Sequence, residues 1–302
     1  MAAPALIELA AGAVRVVLSP EAGGAIARFA VERAGTLVDL LRPPDPDALA
    51  RRAARALAAY PLVPFSNRIA YAAFRFDGRD YMLERNFPPE PHAIHGDGWQ
   101  TPWRVESTAA DRAVLSCRHD GAASGGAGWP FAYEARQEFV VDAGGLTVAI
   151  GATNRDTLAW PFGCGLHPYF RATPAMTLTA HLPEVWLWDT VKLPVAHLAT
   201  PAPWDFTGGR AVAALDLDHC FAGWDGRAAI AWPELGLAVR LVADDLFGHC
   251  VVAALPGNVV AVEPVSHATD AINMRARGEG DHGLRMIAPG ATIGGRVRFE
   301  VS

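Results

Sequence analysis

The chain has 302 residues, of which 51% are hydrophobic and 19% charged, with a formal net charge of -6. A chain so apolar buries a large core rather than staying disordered. The acidic balance, with no basic run of five or six residues, excludes nucleic acid and anionic membrane surfaces as partners and leaves a small neutral molecule as the expected one.

The N-terminal stretch carries Glu8 and Arg15 within its apolar part and has no basic leader, so it reads as a pair of strands rather than a signal peptide. The strand AVRVVLSP (13–20) ends at Pro20, and AIARFAVE (25–32) follows Gly23-Gly24. A helix is expected over DALARRAARALAA (47–59): Asp45 can cap it, Pro46 suits its first position, strong helix formers fill it, and Pro61 ends it. FRFDGRDYML (74–83) reads as a hairpin in which Asp77-Gly78 supplies the two positive-φ positions of a type I′ turn. Two longer strands flank Asp142 to Gly145 within YEARQEFVVDAGGLTVAIGATN, and AAIAWPELGLAVRLVAD repeats the pattern around Pro233 to Gly236. ATIGGRVRFEVS closes the chain as a strand. One helix among many hairpins predicts an all-β antiparallel sandwich or barrel. Without a linker-like segment or a short repeat, residues 1–302 read as a single β domain.

The cysteines are Cys117, Cys164, Cys220 and Cys250, and no two form a C-x-x-C pair. A zinc site of thiolates is not expected, and reduced thiols in a cytoplasmic protein are. No apolar run of about 18 residues is present, so no membrane span is expected.

Four stretches carry side chains able to do chemistry: Asn67-Arg68 among aromatics, His92 to Trp99 among glycines, His167 in WPFGCGLHPYF, and Glu263 in VVAVEPVSHATDAIN. Each alone has a plain structural reading as an ion pair, a turn, a core histidine or a solvated strand end. Together they say more. A carboxylate in an apolar run, with no base beside it in sequence, needs a partner elsewhere, and His167 and Arg68 are the candidates. Glu and His in one cleft, with ordinary pKa values of about 4.3 and 6.5, make a base and an acid. Desolvation is expected to raise the first and a neighbouring carboxylate to raise the second. A metal triad of His95, His167 and Glu263 is the competing chemistry. It lacks closely spaced ligands, since His92 and His95 on one strand would face opposite ways.

In order along the chain stand Asn67-Arg68-Ile69, His95-Gly96-Asp97-Gly98-Trp99, His167-Pro168-Tyr169-Phe170, Asp218-His219-Cys220-Phe221, and Glu263 with Asp270-Ala271-Ile272-Asn273. In this ordered set the chain resembles the aldose 1-epimerases (mutarotases) of the galactose-mutarotase-like superfamily. The resemblance implies a large antiparallel β-sandwich, the supersandwich, with one or two short helices. It implies interconversion of the α and β anomers of a free aldose without cofactor or metal, in a monomer or homodimer. It maps the catalytic base onto Glu263 and the catalytic acid onto His167. Arg68, His95, Asp218 and Asn67 become the groups that hold the sugar. The chain departs from the family pattern at Ala70-Tyr71-Ala72, at Pro264 to His267, and at Asp97 where a glycine is common. These departures bear on which sugar is taken. No added cluster of Arg or Lys stands near the motifs for a phosphorylated sugar. A carbohydrate-binding or sugar-sensing protein is the alternative, but binding alone would not need an acid and a base together. A glycosidase would need a second carboxylate.

Overall fold

The computed structural model describes residues 5–121, 128–280 and 282–302. Strands dominate, and the described residues form two large antiparallel sheets. In spatial order the first runs Ile7–Ala11, Val14–Ser19, Ala25–Arg33, Ala59–Leu62, Gly165–Arg171, Val259–Val265, His249–Leu255, Asp218–Ala222, Glu184–Trp188 and Pro194–Ala199. The second is built around Ala132–Asp142, Gly145–Asn154, Thr292–Val301 and Leu237–Ala243. The sheets pack face to face: Phe299 of the second meets Phe29 of the first edge-on, ring centroids 5.9 Å apart, and Phe170 at 6.4 Å. This is the expected sandwich.

The hairpins fall where turn chemistry put them. Asp77 and Gly78 adopt φ of 48° and 75° between Ala73–Phe76 and Arg79–Met82. Ala132–Asp142 pairs with Gly145–Asn154, and Arg227–Trp232 turns at Gly236, φ 56°, into Leu237–Ala243.

The helix expected over 47–59 is a correction. Asp45 does cap it, its carboxylate accepting from the Asp47 N–H at 2.9 Å, but the helix covers only Pro46–Ala50. Arg52 turns left-handed at φ 54°, Ala54–Ala56 form a 3-10 turn, and Ala59–Leu62 is a strand. That strand fills the first sheet between Ala25–Arg33 and Gly165–Arg171. The pairing it makes there outweighs the helix propensity of an alanine-rich stretch, which is a weak preference. A second helix, Ala271–Ala276, follows Asp270. No helix among the described residues is long and apolar enough to cross a membrane. All four cysteines are buried and free.

The core has two parts because strand side chains alternate. Leu166 and Phe170, Cys250 and Val252, and Val260 and Val262 point between the sheets. Tyr169, Val251, Ala253, Ala261 and Val265 point to the outer face of the first sheet, under the loops and the short helices. On that outer face the site is built.

Candidate functional site

Parity along the strands decides what the outer face presents. His167 shares it with Tyr169, Glu263 with Ala261 and Val265, and Asp218 with Cys220 and Ala222. Register then lines them up. Tyr60 lies opposite His167, Glu263 opposite Val251, and Val251 opposite Cys220. The partners Gly165↔Val265 and Tyr169↔Ala261 bracket His167 and Glu263, which face one another across the central strand pair. One row of the sheet therefore sets an imidazole beside a carboxyl.

Arg68 and His95 come from outside this sheet. Arg68–Ile69 pairs with Ala93–Ile94, which draws two motifs distant in sequence into one short ribbon. Asn67 and His95 both take left-handed φ, 54° and 63°. The Asn67 N–H donates to His95 Nδ1 at 3.0 Å, and the His95 N–H donates to the Asn67 carbonyl at 2.8 Å. Gly96 is obligatory there: φ is +71°, and a Cβ would stand 2.0 Å from the Val63 carbonyl oxygen.

These elements enclose a cavity of 130 Å³. Asn67, Arg68, His95, His167, Asp218 and Glu263 all line it, so all six residues singled out from sequence come together. His167 Nε2 lies 3.2 Å from Glu263 Oε1. The imidazole stacks on Tyr60, 4.7 Å between centroids, and leans on Tyr169 at 4.4 Å. His167 Nδ1 and Glu263 Oε2 are buried without a hydrogen-bond partner among the described residues. Arg68 donates to Glu90 at 2.6 Å and to Asn67 Oδ1 at 3.2 Å, and its guanidinium lies 5.3 Å from the Trp188 ring centroid. Asp218 receives Lys192 Nζ at 2.9 Å.

Burial governs the electrostatics. Glu263 is 3% exposed, and desolvation, reinforced by the charge of Asp218 and opposed by that of Arg68, pushes its carboxyl well above the usual range. His167 falls to about 3 through desolvation, aided by the charges of Arg55 and Arg42. The expected upward shift of His167 is thus corrected: loss of water outweighs any gain from the neighbouring carboxyl group. Desolvation, then the charges of His167 and Arg68, holds His95 well below its ordinary value. With Nδ1 accepting from Asn67, a neutral His95 keeps its hydrogen on Nε2 and is a donor. The His167–Glu263 pair prefers its uncharged form, with one proton to share across the 3.2 Å contact.

Sequence reasoning missed several lining residues. Tyr60 and Arg55 lay within or just beyond the expected helix, while Glu90, Phe87 and Trp188 sit in loops or strands with no motif. The signal for Tyr60 was its place two residues before Leu62 in an apolar, proline-punctuated run, which reads equally as strand. Asp97, one departure from the family pattern, lies away from the cavity lining and bonds His119 Nδ1 at 2.8 Å and the Tyr133 hydroxyl. His92 is also apart: its Nδ1 accepts from the Tyr71 N–H and its Nε2 meets the Val191 carbonyl. Among the described residues no three His, Cys, Asp or Glu side chains gather as a metal-holding group.

The sequence profile of the aldose 1-epimerase family matches residues 5–271. The uncharacterised protein YphB of Escherichia coli K12 is 29% identical over 275 residues, 87% of this chain and 88% of the relative. The crystal structure of an Escherichia coli K12 protein described as a candidate aldose 1-epimerase superposes with a TM-score of 0.87 at 27% identity, covering 99% of each chain. A galactose mutarotase-like protein from Clostridium acetobutylicum superposes with a TM-score of 0.83 over 98% of this chain and 95% of its own; at 18% identity it shares the fold alone. From its strand order to the motifs that meet in its cavity, the chain belongs to the aldose 1-epimerase family.

Proposed function

We propose that this protein interconverts the α and β anomers of a free aldose. The observation that carries the reading is the buried His167–Glu263 pair, 3.2 Å apart in a cavity whose other polar groups suit sugar hydroxyls. Glu263 takes the proton of the anomeric hydroxyl while His167 gives one to the ring oxygen. The ring opens to the aldehyde, the first carbon–carbon bond rotates, and reclosure on the other carbonyl face returns both protons. The substrate's own carbonyl is the electrophile, so the step balances without a cofactor.

The resting pair already holds the proton this needs. Transfer across the Nε2–Oε1 contact turns imidazole and carboxylic acid into imidazolium and carboxylate without changing net charge. Tyr60 and Tyr169 pack against the His167 ring and limit the water around it, which strengthens its polar contact to the sugar. His95 offers its Nε2 hydrogen to a sugar oxygen. Arg68, braced by Glu90 and Asn67, donates to hydroxyls, and Asp218 accepts from them.

Polarimetry on freshly dissolved α-glucose, α-galactose and a wider aldose panel tests the reading. Optical rotation is expected to reach equilibrium faster than in buffer for at least one sugar. Buffer rates across the panel would overturn it and leave a carbohydrate-binding protein.

A further inference from the structure

One cation of the cavity wall is not matched by a carboxylate partner. Arg68 is paired with Glu90, Lys192 with Asp218, and Glu263 lies 3.2 Å from His167. Arg55 is left over. It lines the same cavity, half-buried, and makes no ion pair or side-chain hydrogen bond to a carboxylate among the described residues. Its guanidinium lies over Phe87, 3.6 Å from the ring centroid, and Phe87 is itself a cavity wall. Its backbone is fixed as well, since Arg42 Nη2 donates to the Arg55 carbonyl. Its positive charge reaches His167, His95 and Tyr60, which are on the floor of the cavity. A cation held in place, desolvated on one face and without an anion is a recognition element waiting for its counter-charge.

We infer that the preferred substrate is an acidic aldose, a sugar whose carbon farthest from the anomeric centre is a carboxylate, and that Arg55 receives that carboxylate. The inference rests on the anomerase reading for which end of the sugar meets His167 and Glu263. The anomeric carbon must stay free at that pair, so the acid belongs at the other end. A carboxylate replaces a hydroxymethyl group with little added volume, which suits a cavity of 130 Å³. Its single charge matches one planar guanidinium in a two-pronged contact. A phosphate ester is longer and carries a charge of about -1.5 to -2, more than one unpaired cation neutralises.

The test compares glucuronate and galacturonate with glucose, galactose and glucose 6-phosphate, by NMR anomer exchange for turnover and by calorimetric titration for binding. A carboxylate-to-guanidinium contact is expected to favour each uronate over its neutral parent by about tenfold or more in kcat/KM and in affinity. In Arg55→Gln the uronate-to-neutral ratio is expected to fall to about one, and Arg55→Lys to restore part of it. Equal treatment of acid and neutral sugars by the wild-type protein, or preference for the phosphate, overturns the inference and leaves anomerisation standing. Selective uronate binding with no accelerated exchange supports the inference and overturns the anomerase reading instead.

Discussion

At the scale of single residues, burying the ionisable groups of the site weighs on stability. Glu263 is buried with one oxygen unpartnered and a carboxyl pushed well above the usual range. A carboxyl raised in the folded state adds stability below its unfolded value, and that contribution is lost as pH rises toward and through its raised folded value. Glu263→Gln is therefore expected to abolish activity yet raise Tm at pH 8 by about 2 °C or more, with the gain vanishing near pH 4; thermal melts across that range check it. The buried histidines act in the opposite sense. His167 and His267 fall to about 3 and about 4 through desolvation, and His95 falls as well, so they withdraw stability as pH drops below the ordinary histidine value. In the proposed mechanism the same shifts shape the rate. The one-proton pair persists between the depressed value of His167 and the raised value of Glu263. Hence kcat/KM is expected to lack the decline near pH 6.5 that an ordinary imidazolium acid would give. A pH–rate profile with a midpoint near 6.5 would contradict this.

At the scale of elements, the site depends on where backbone geometry is tightest. Gly96 holds the His95 turn with φ +71° and no room for a methyl group. Gly96→Ala is expected to destabilise the fold by about 1–3 kcal/mol and to raise KM, since Asn67 and His95 brace one another through that turn. Denaturant unfolding beside steady-state kinetics reads both effects. How far the elements were legible depended on whether local chemistry or tertiary pairing decided them. The Asp77-Gly78 turn and the alternation in Ala132–Asp142 and Gly145–Asn154 are local, and the sequence announces them. The stretch 47–59 is locally helical but is claimed at its end by the sheet, where Tyr60 pairs with His167. That pairing cannot be read from neighbours in sequence. For the same reason Tyr60, Arg55 and Glu90 went unseen while the six motif residues did not. His92 and His95 show the converse: spacing suggested opposite faces of a strand, whereas His95 leaves the strand through a left-handed turn.

At the scale of the whole molecule, the sandwich holds the row of site residues flat. Phe299 is fully buried between the sheets against Phe29 and Phe170, so Phe299→Ala is expected to cost about 3–5 kcal/mol in chemical denaturation. Its folded fraction should keep its activity, because the site lies on the other face of the first sheet. The family and the all-β class followed from an ordered set spread over the chain; the meeting of the motifs and the unpaired guanidinium of Arg55 required the assembled cavity. In the proposed mechanism His167 and Glu263 work as a single proton-transferring unit. NMR exchange of α and β anomers, with wild type, Glu263→Gln, His167→Gln and the double variant, measures it most directly. Each single substitution is expected to lower the catalysed rate by about 10²-fold or more, and the double variant to be no slower than the worse single. Wild-type exchange in either single variant would contradict the account.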